Sequence, residues 1–435
     1  MTHKHSQEKS QETLDTRASA RATIAVIGGG AAGLVAAVSA GMRARQEKSE
    51  VQILVFESDD RVGRSILATG NGRCNFSNAH IDVKKYKNAA FVKHLYDVLD
   101  ERFQTKDFRA PIAFFENLGL VWREEREGRL YPLANKASVV LDLLREAGKR
   151  LGVVEVCNTK IAALIPPTDS SKPFTLKSED GVFYRAGAVI VACGGKQSLS
   201  FLPSSYPRIE ARPVLVSLAC KESYVKELNN IRLKAEVSLI PAQGKTPHLT
   251  EEGEVMFRAY GLSGIAIFNL SREVQVNDRI VLNLLPGYTQ AQVRDLLGER
   301  RRAFAQNFGS EPTVFDLLRG LLLPRVSEVF LRSLGINAHE DCSEKNIEKL
   351  AAGLVSWTFH VSGIGDKALS QVTRGGINLA VCDGNTLESR QDKGLFFAGE
   401  ALDIDGPCGG YNLHWAWASG MMAAQGAFES LKHRS

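Results

Sequence analysis

Thr23-Ile-Ala-Val-Ile-Gly28-Gly-Gly30-Ala-Ala32-Gly33-Leu-Val-Ala-Ala37 is the stretch that decides the fold. Five residues of β-type apolar sequence run straight into Gly28, and small residues then open a helix expected to reach about Arg43. A second apolar strand, Val51-Gln-Ile-Leu-Val-Phe56, follows and ends at Glu57. Strand, glycine turn, helix, strand and acid, in that order, are what a dinucleotide requires. Gly28 permits the tight turn, Gly30 lets backbone approach a pyrophosphate, and Gly33 lets helix and sheet pack closely. The helix N-terminus offers free N–H groups and a partial positive charge to the phosphates. Glu57, 24 residues after Gly33, is placed to accept from a ribose hydroxyl pair. An acid there repels a 2′-phosphate, so the expected nucleotide is FAD or NAD rather than NADP.

Size and composition bound the rest. A chain of 435 residues, 44% hydrophobic and 24% charged, holds two or three domains with an ordinary globular composition. A net charge of +5 is small for this length, and no nucleic-acid partner is expected from it. The longest apolar runs, such as residues 186–193, are far too short to span a bilayer. Residues 1–21 are polar, of mixed charge and without an apolar segment, and are expected to form a disordered tail rather than a secretory signal. Cys74, Cys157, Cys193, Cys220, Cys342, Cys382 and Cys408 are scattered without metal-type or disulfide-framework spacing, so no metal site is expected and a cytoplasmic location fits.

Along the chain, residues 58–80 form a Gly- and Asn-rich loop, and helices are expected at 89–101, 110–118 and 136–151. Short strands follow at 153–156, 161–165, 174–178 and 182–185, then a buried strand at 188–193 that ends in Gly194 and Gly195. The pattern changes near Pro213. Residues 214–285 alternate apolar and polar as in a small antiparallel barrel, and residues 289–335 are Leu-rich and helical. From residue 371 α/β character returns. The expected fold class is therefore α/β: a discontinuous Rossmann-like FAD-binding domain, 22–212 and 357–435, with an insert at 213–356. The insert divides into a β-barrel, about 213–285 and 335–356, and a small helical part, about 286–334.

A second signature lies near the C-terminus: Leu395-Phe-Phe-Ala-Gly399-Glu400-Ala-Leu-Asp403-Ile-Asp405-Gly406-Pro407-Cys408-Gly409-Gly410-Tyr411-Asn412-Leu413-His414-Trp415-Ala-Trp417. It reads strand, acid, glycine loop, helix. Its strand would join the parallel sheet and bring Glu400 out at the carboxyl end, beside the first turn. A carboxylate there can accept from ribityl hydroxyls. Gly409, Gly410, Tyr411 and Asn412 would bring backbone N–H groups and a helix N-terminus to the flavin pyrimidine edge. The plainer reading is a capped helix after an ordinary turn.

Together with Gly70-Asn-Gly72-Arg73-Cys74-Asn75-Phe-Ser-Asn78 and Tyr260-Gly-Leu-Ser-Gly264, these strings resemble the BaiN/YhiN-like flavoproteins, also labelled the aminoacetone oxidase family of FAD-binding enzymes. The resemblance covers nearly all of the chain after residue 21. It implies that Gly28, Gly30, Ala32 and Gly33 cradle the pyrophosphate and that Glu57 binds the adenosine ribose. It implies further that Arg64, Gly72, Arg73, Cys74 and Asn75 lie along the flavin or pyrophosphate, and that Gly194 and Gly399 border the cofactor. Glu400 and Asp403 would flank the ribityl chain, residues 410–413 would face the isoalloxazine, and a backbone contact near Ile161 would reach the adenine. Two departures fall where substrate could sit: a short segment from Lys196, and Arg258, Ala259 and Ile265 around the Tyr-Gly-Leu-Ser-Gly string.

Candidate catalytic groups are Cys74, Tyr411 and His414, each with a plainer reading as a packed or capping residue. Arg73 could clamp a substrate anion, although a cofactor contact is the simpler reading. Trp415 and Trp417, two apart, cannot share one helix face, so at least one belongs to the core. The expected function is that of a FAD-dependent oxidoreductase with FAD held non-covalently, NADH a possible electron donor, and a small-molecule substrate. The resemblance implies reduction or formation of a C=C bond conjugated to a carbonyl, one branch of the family being regarded as reducing 3-oxo-4,6-diene bile acid intermediates. The alternatives are a flavin-dependent amine oxidase and, in another class, a FAD-containing structural or sensory binding protein.

Overall fold

The computed structural model describes residues 22–169, 172–195, 199–366 and 370–432. The expected tail at 1–21 and the start of the segment at Lys196 lie outside the described residues. The chain divides into two compact units. One comprises residues up to Arg212 together with those from Val372 onward, and the other runs from Pro213 to Gln371.

The first unit is built on a five-stranded sheet of β1 (Thr23–Ile27), β2 (Gln52–Phe56), β3 (Val154–Val156), β4 (Ala188–Val191) and β5 (Leu395–Phe397). Its spatial order is β5-β4-β1-β2-β3, and every pairing is parallel. All residues of β1, β4 and β5 are buried, which accounts for their unbroken apolar runs: a parallel sheet is covered on both faces. The chain's two ends meet in this sheet, where Val189 pairs with Leu395 and Val191 with Phe397. Helix Ala31–Gln46 and the long C-terminal helix Tyr411–Lys432 approach closely through small residues. A Cβ on Gly420 would stand 2.4 Å from the Ala32 carbonyl oxygen. Two three-stranded antiparallel sheets complete the unit. One joins Ile161–Ile165, Phe174–Ser178 and Phe183–Ala186; the other sets Arg129–Pro132 between Ser77–Asn78 and Trp122–Glu125.

The second unit holds a closed six-stranded antiparallel barrel. Its strands, in order around the barrel, are Leu218–Cys220, Gly261–Ser263, Leu249–Arg258, Arg232–Ile240, Arg279–Asn283 and Trp357–Ile364. Helices Gln290–Phe308 and Val314–Leu318 each start at a Thr capping box, with Thr289 paired to Gln292 and Thr313 to Asp316. Pro324–Ser333 and Glu344–Val355 complete the helical part.

Two boundaries of the insert differ from expectation. The segment expected to finish the barrel at 335–356 is largely helix Glu344–Val355. The strand that closes the barrel is Trp357–Ile364, which pairs with both Arg279–Asn283 and Leu218–Cys220. The unit therefore ends at Gln371 rather than at residue 356. Closure satisfies the edge strands on both sides, a long-range requirement that leaves no mark in local composition.

Candidate functional site

The turn after β1 is formed by close backbone contacts. Gly28 has φ +108°, donates its N–H to the Phe56 carbonyl at 2.8 Å, and leaves no room for a Cβ, which would lie 2.6 Å from the Ala192 oxygen. A Cβ on Gly33 would fall 1.9 Å from the Gly28 oxygen, so the first helix turn lies directly on the glycine turn. Gly30 is the N-cap of that helix and no side chain caps it. Its first turn thus presents uncapped N–H groups with no acidic neighbour in the helix, the arrangement that suits a phosphate.

Glu57 stands at the carboxyl end of β2. Its Oε2 accepts the Gly29 N–H at 2.9 Å, and its Oε1 accepts the Asp59 N–H at 2.9 Å and the Ser58 hydroxyl at 3.0 Å. The chain leading to Ile161 runs along this acid: Thr159 donates to the Glu57 carbonyl and Asn158 to that of Asp59, both at 2.8 Å. Ile161 itself is buried at the head of its strand.

The C-terminal signature comes to the same sheet edge. A Cβ on Gly399 (φ +65°) would meet the Cβ of Ala32 at 2.9 Å, which seats the end of β5 against the start of the first helix. Gly194 has φ +74°, and a Cβ on Gly195 would stand 2.7 Å from the Thr373 Cβ and 3.2 Å from the Glu400 carboxylate. Glu400, Gly195 and Gly28 are thereby gathered at the ends of β5, β4 and β1, the crevice where open α/β sheets take ligands.

The loop after Arg64 is unusual. Gly70, Asn71, Gly72 and Cys74 all have positive φ, between +55° and +80°. Left-handed non-glycine residues persist only where their surroundings hold them, and such strain gathers at binding sites. Beside this loop the buried Oδ1 of Asn75 has no hydrogen-bond partner among the described residues. An orphaned buried acceptor, an uncapped helix start and a glycine cradle fit a bound dinucleotide.

The side chains of several candidate residues are engaged within the protein. The Arg73 guanidinium bonds to Glu125 and Asn135 and lies 4.0 Å over the Tyr131 ring, so this side chain braces the loop. Arg64 pairs with Asp59 at 3.5 Å and Asp60 at 3.0 Å. Cys74 is fully buried and burial pushes its thiol up to about 12, which suits packing and not thiolate chemistry. His414 is fully buried, its Nδ1 2.7 Å from the Ser77 hydroxyl, and desolvation holds its pKa down to about 3. The Tyr411 hydroxyl accepts from the Asp82 N–H at 3.2 Å and donates to the His80 carbonyl at 3.3 Å, so it ties a loop rather than presenting a proton. Asn412 braces its own loop through Gly406 and Pro407. A Cβ on Gly410 would lie 2.2 Å from the Ser77 oxygen, so the backbone approach that this glycine permits is to Ser77. Asp403 is buried, with Lys87 Nζ 2.6 Å from both of its carboxylate oxygens and the Gly375 N–H at 2.9 Å.

Both tryptophans are core. Trp415 donates its indole N–H to the Gly399 carbonyl at 3.1 Å and Trp417 to the Phe76 carbonyl at 2.7 Å, so the C-terminal helix latches both glycine-rich strings. The sequence reading also missed the buried pair of Arg374 and Asp405. Only the alternation of acids at 400, 403 and 405 hinted that the loop needs cations. In the other unit, Gly261 and Gly264 serve the barrel. Their Cβ positions would strike the Leu218 and Glu254 oxygens at 2.0 and 2.3 Å, and the Tyr260 hydroxyl bonds to that of Ser217. Arg258 bonds to Asn230 at 3.2 Å. Among the described residues there is no cluster of ligating side chains suited to a metal and no helix long and apolar enough to cross a membrane.

A parallel sheet with a glycine turn, an acid at the end of the second strand and a second glycine loop at the same edge defines a dinucleotide-binding flavoprotein of the Rossmann class. The chain belongs to the family described as the HI0933-like protein Rossmann domain, which it matches over residues 22–426, a family of FAD-dependent oxidoreductases. It is similar to the 3-dehydro-bile acid delta(4,6)-reductase of Clostridium scindens, at 32% identity over 93% of this chain and 99% of that one. It is also similar to the ribosomal RNA dihydrouridine synthase of Escherichia coli, at 26% identity over 92% of this chain and 96% of that one. Among solved structures, it is similar to a 3-ketosteroid-delta4-(5alpha)-dehydrogenase from Rhodococcus jostii, with 14% identity, a TM-score of 0.43 and coverage of 94% of this chain and 96% of that one.

Proposed function

We propose that this enzyme adds two hydrogens across a C=C bond conjugated to a carbonyl, on a small-molecule substrate, with FAD held non-covalently. The observation that carries the reading is the near full-length likeness to a delta(4,6)-reductase, set on a site shaped for a dinucleotide. The dihydrouridine synthase relative supports the same class of reaction, because uridine becomes dihydrouridine by saturation of a ring C=C beside a carbonyl. When bound, FAD supplies hydride transfer at N5.

The chain's own residues bind and orient. Gly28, Gly30, Ala32 and Gly33 give the pyrophosphate a backbone cradle at an uncapped helix start. Glu57 takes the ribose hydroxyls while the Gly29 N–H fixes its rotamer. Glu400 faces the ribityl chain, and Asn75 offers its unpaired oxygen to a cofactor donor. Pyrophosphate has acceptors only, so Asn75 serves a hydroxyl or a ring N–H. Gly409, Gly410 and Leu413 shape the flavin side of the crevice. NADH is the proposed electron donor.

Anaerobic mixing tests the reading. Reduction of the flavin by NADH, followed by reoxidation on adding a 3-oxo-4,6-diene, is the expected result. Bleaching by primary amines and not by NADH would mean an amine oxidase. Reoxidation by uridine-containing RNA and not by the dienone would move the substrate to nucleic acid. Acid precipitation is expected to release all flavin from the pellet.

A further inference from the structure

We propose that Arg374 and Lys87 are positioning residues which clamp the acidic loop 401–406 so that the cofactor can seat beside it. The proposal rests on the FAD reading above. Two cations close on the loop from separate segments of the chain. From strand Val372–Ile377, Arg374 reaches Asp405 through Nε at 2.7 Å and Nη2 at 3.0 Å, with side-chain exposures of 8% and 0%. From the segment before helix Ala89–Phe103, Lys87 grips Asp403 at 2.6 Å, and the neighbouring Asn88 side chain donates to the Asp403 carbonyl at 2.8 Å.

Backbone bonds repeat the pattern. The Lys87 N–H donates to the Asp405 carbonyl at 2.9 Å, that of Asp403 to the Ile377 carbonyl at 3.1 Å, and that of Gly375 to the Asp403 carboxylate at 2.9 Å. Gly375 and Gly376 have φ of +109° and +113°, and a Cβ on either would strike the Glu210 or the Ala401 oxygen. At Gly376 the strand thus lies directly against the loop, and at Gly375 against strand Arg208–Val214.

A buried ion pair is a poor source of net stability, because desolvation offsets its attraction; what it can specify is a single conformation. Here the conformation specified is that of the link between Glu400 and the glycines that open the C-terminal helix. Neutralisation matters as well. Two unpaired carboxylates on this loop would oppose the negative charge of a bound pyrophosphate; here each is paired with a cation.

The test is a titration of apo-protein with FAD, followed by flavin fluorescence and the visible absorption band, beside the melting temperature without FAD. The double variant Arg374→Met with Asp405→Leu removes both charges together and keeps the volume, so no lone buried charge remains. It is expected to melt near the parent temperature, to bind FAD roughly tenfold more weakly or worse, and to shift the band toward that of free flavin. Arg374→Lys, which keeps charge but loses the fork, is expected to fall between. A double variant with parental affinity and spectrum overturns the clamp while leaving the FAD reading intact. A parent protein that takes up no FAD overturns both. If the double variant does not fold, Lys87→Met with Asp403→Asn, which likewise leaves no lone buried charge, carries the same test: parental affinity in it overturns the proposal, and loss of affinity with a retained melting temperature supports it.

Discussion

Glu57, proposed to take the ribose, is a carboxylate already held in place by the fold. Its two oxygens already accept the Gly29 and Asp59 N–H groups, which orient it at the end of β2. Glu57→Ala is expected to weaken FAD binding roughly ten- to a hundredfold, the loss of a charge-assisted hydrogen bond worth about 1.5–3 kcal/mol. An isothermal titration with an unchanged dissociation constant would remove this acid from the site. His414 makes a different prediction. Its imidazole is neutral in the fold, with a pKa near 3 against an ordinary value of 6.5, because burial penalises the charged form. Between those values the unfolded chain binds a proton that the fold does not. Stability is therefore fully present above pH 6.5 and falls as the pH drops toward 3, by at most about 1.4 kcal/mol per pH unit. Denaturant melts of His414→Gln should show a shallower slope over that window, and an equal slope would mean that the ring is protonated in the fold.

At the scale of elements, the C-terminal helix starts where backbone meets backbone. Gly409 and Gly410 both have positive φ, +109° and +96°, so alanine strains either by about 1–3 kcal/mol. They differ in what a Cβ meets: open space to 3.8 Å at Gly409, the Ser77 carbonyl at 2.2 Å at Gly410. Gly410→Ala should therefore melt well below Gly409→Ala, and equal melting temperatures would separate the helix start from the Ser77 strand. The sequence marked this glycine as special and placed a helix directly after the glycine loop. It did not show that Gly410 accommodates the protein's own backbone, because the partner strand Ser77–Asn78 lies more than 300 residues away and is only two residues long.

At the scale of the whole molecule, the barrel's closing strand lies beyond its helices in sequence. A fragment of residues 213–371 carries every barrel strand and its own buried core, with Val237, Phe257, Ile280 and Phe359 at 0% exposure. It is expected to unfold cooperatively on its own, whereas residues 213–356 lack Trp357–Ile364 and leave two edges open. Circular dichroism melts of the two fragments check this; cooperative melting of the shorter one would mean that the closing strand is dispensable. FAD should raise the melting temperature of the full chain and leave that of the longer fragment unchanged.

Local pattern sufficed wherever a property depends on neighbours in sequence. Apolar runs ending in glycine identified β1, β4 and β5, periodicity located the helices near 89, 110 and 137, and the order of turn, helix and acid placed Gly28 and Glu57 together. Tertiary structure alone decided which groups are spent inside the protein. Arg73, Asp403, Tyr411 and His414 are residue types that bind ligands, and each is engaged by Glu125, Lys87, His80 or Ser77 from a distant part of the chain. The same holds for the barrel boundary, set by the pairing of Trp357–Ile364 with strands at 218 and 279. A side chain's chemistry is written in its identity. Whether that chemistry is free depends on burial and on partners that only folding brings within 3 Å.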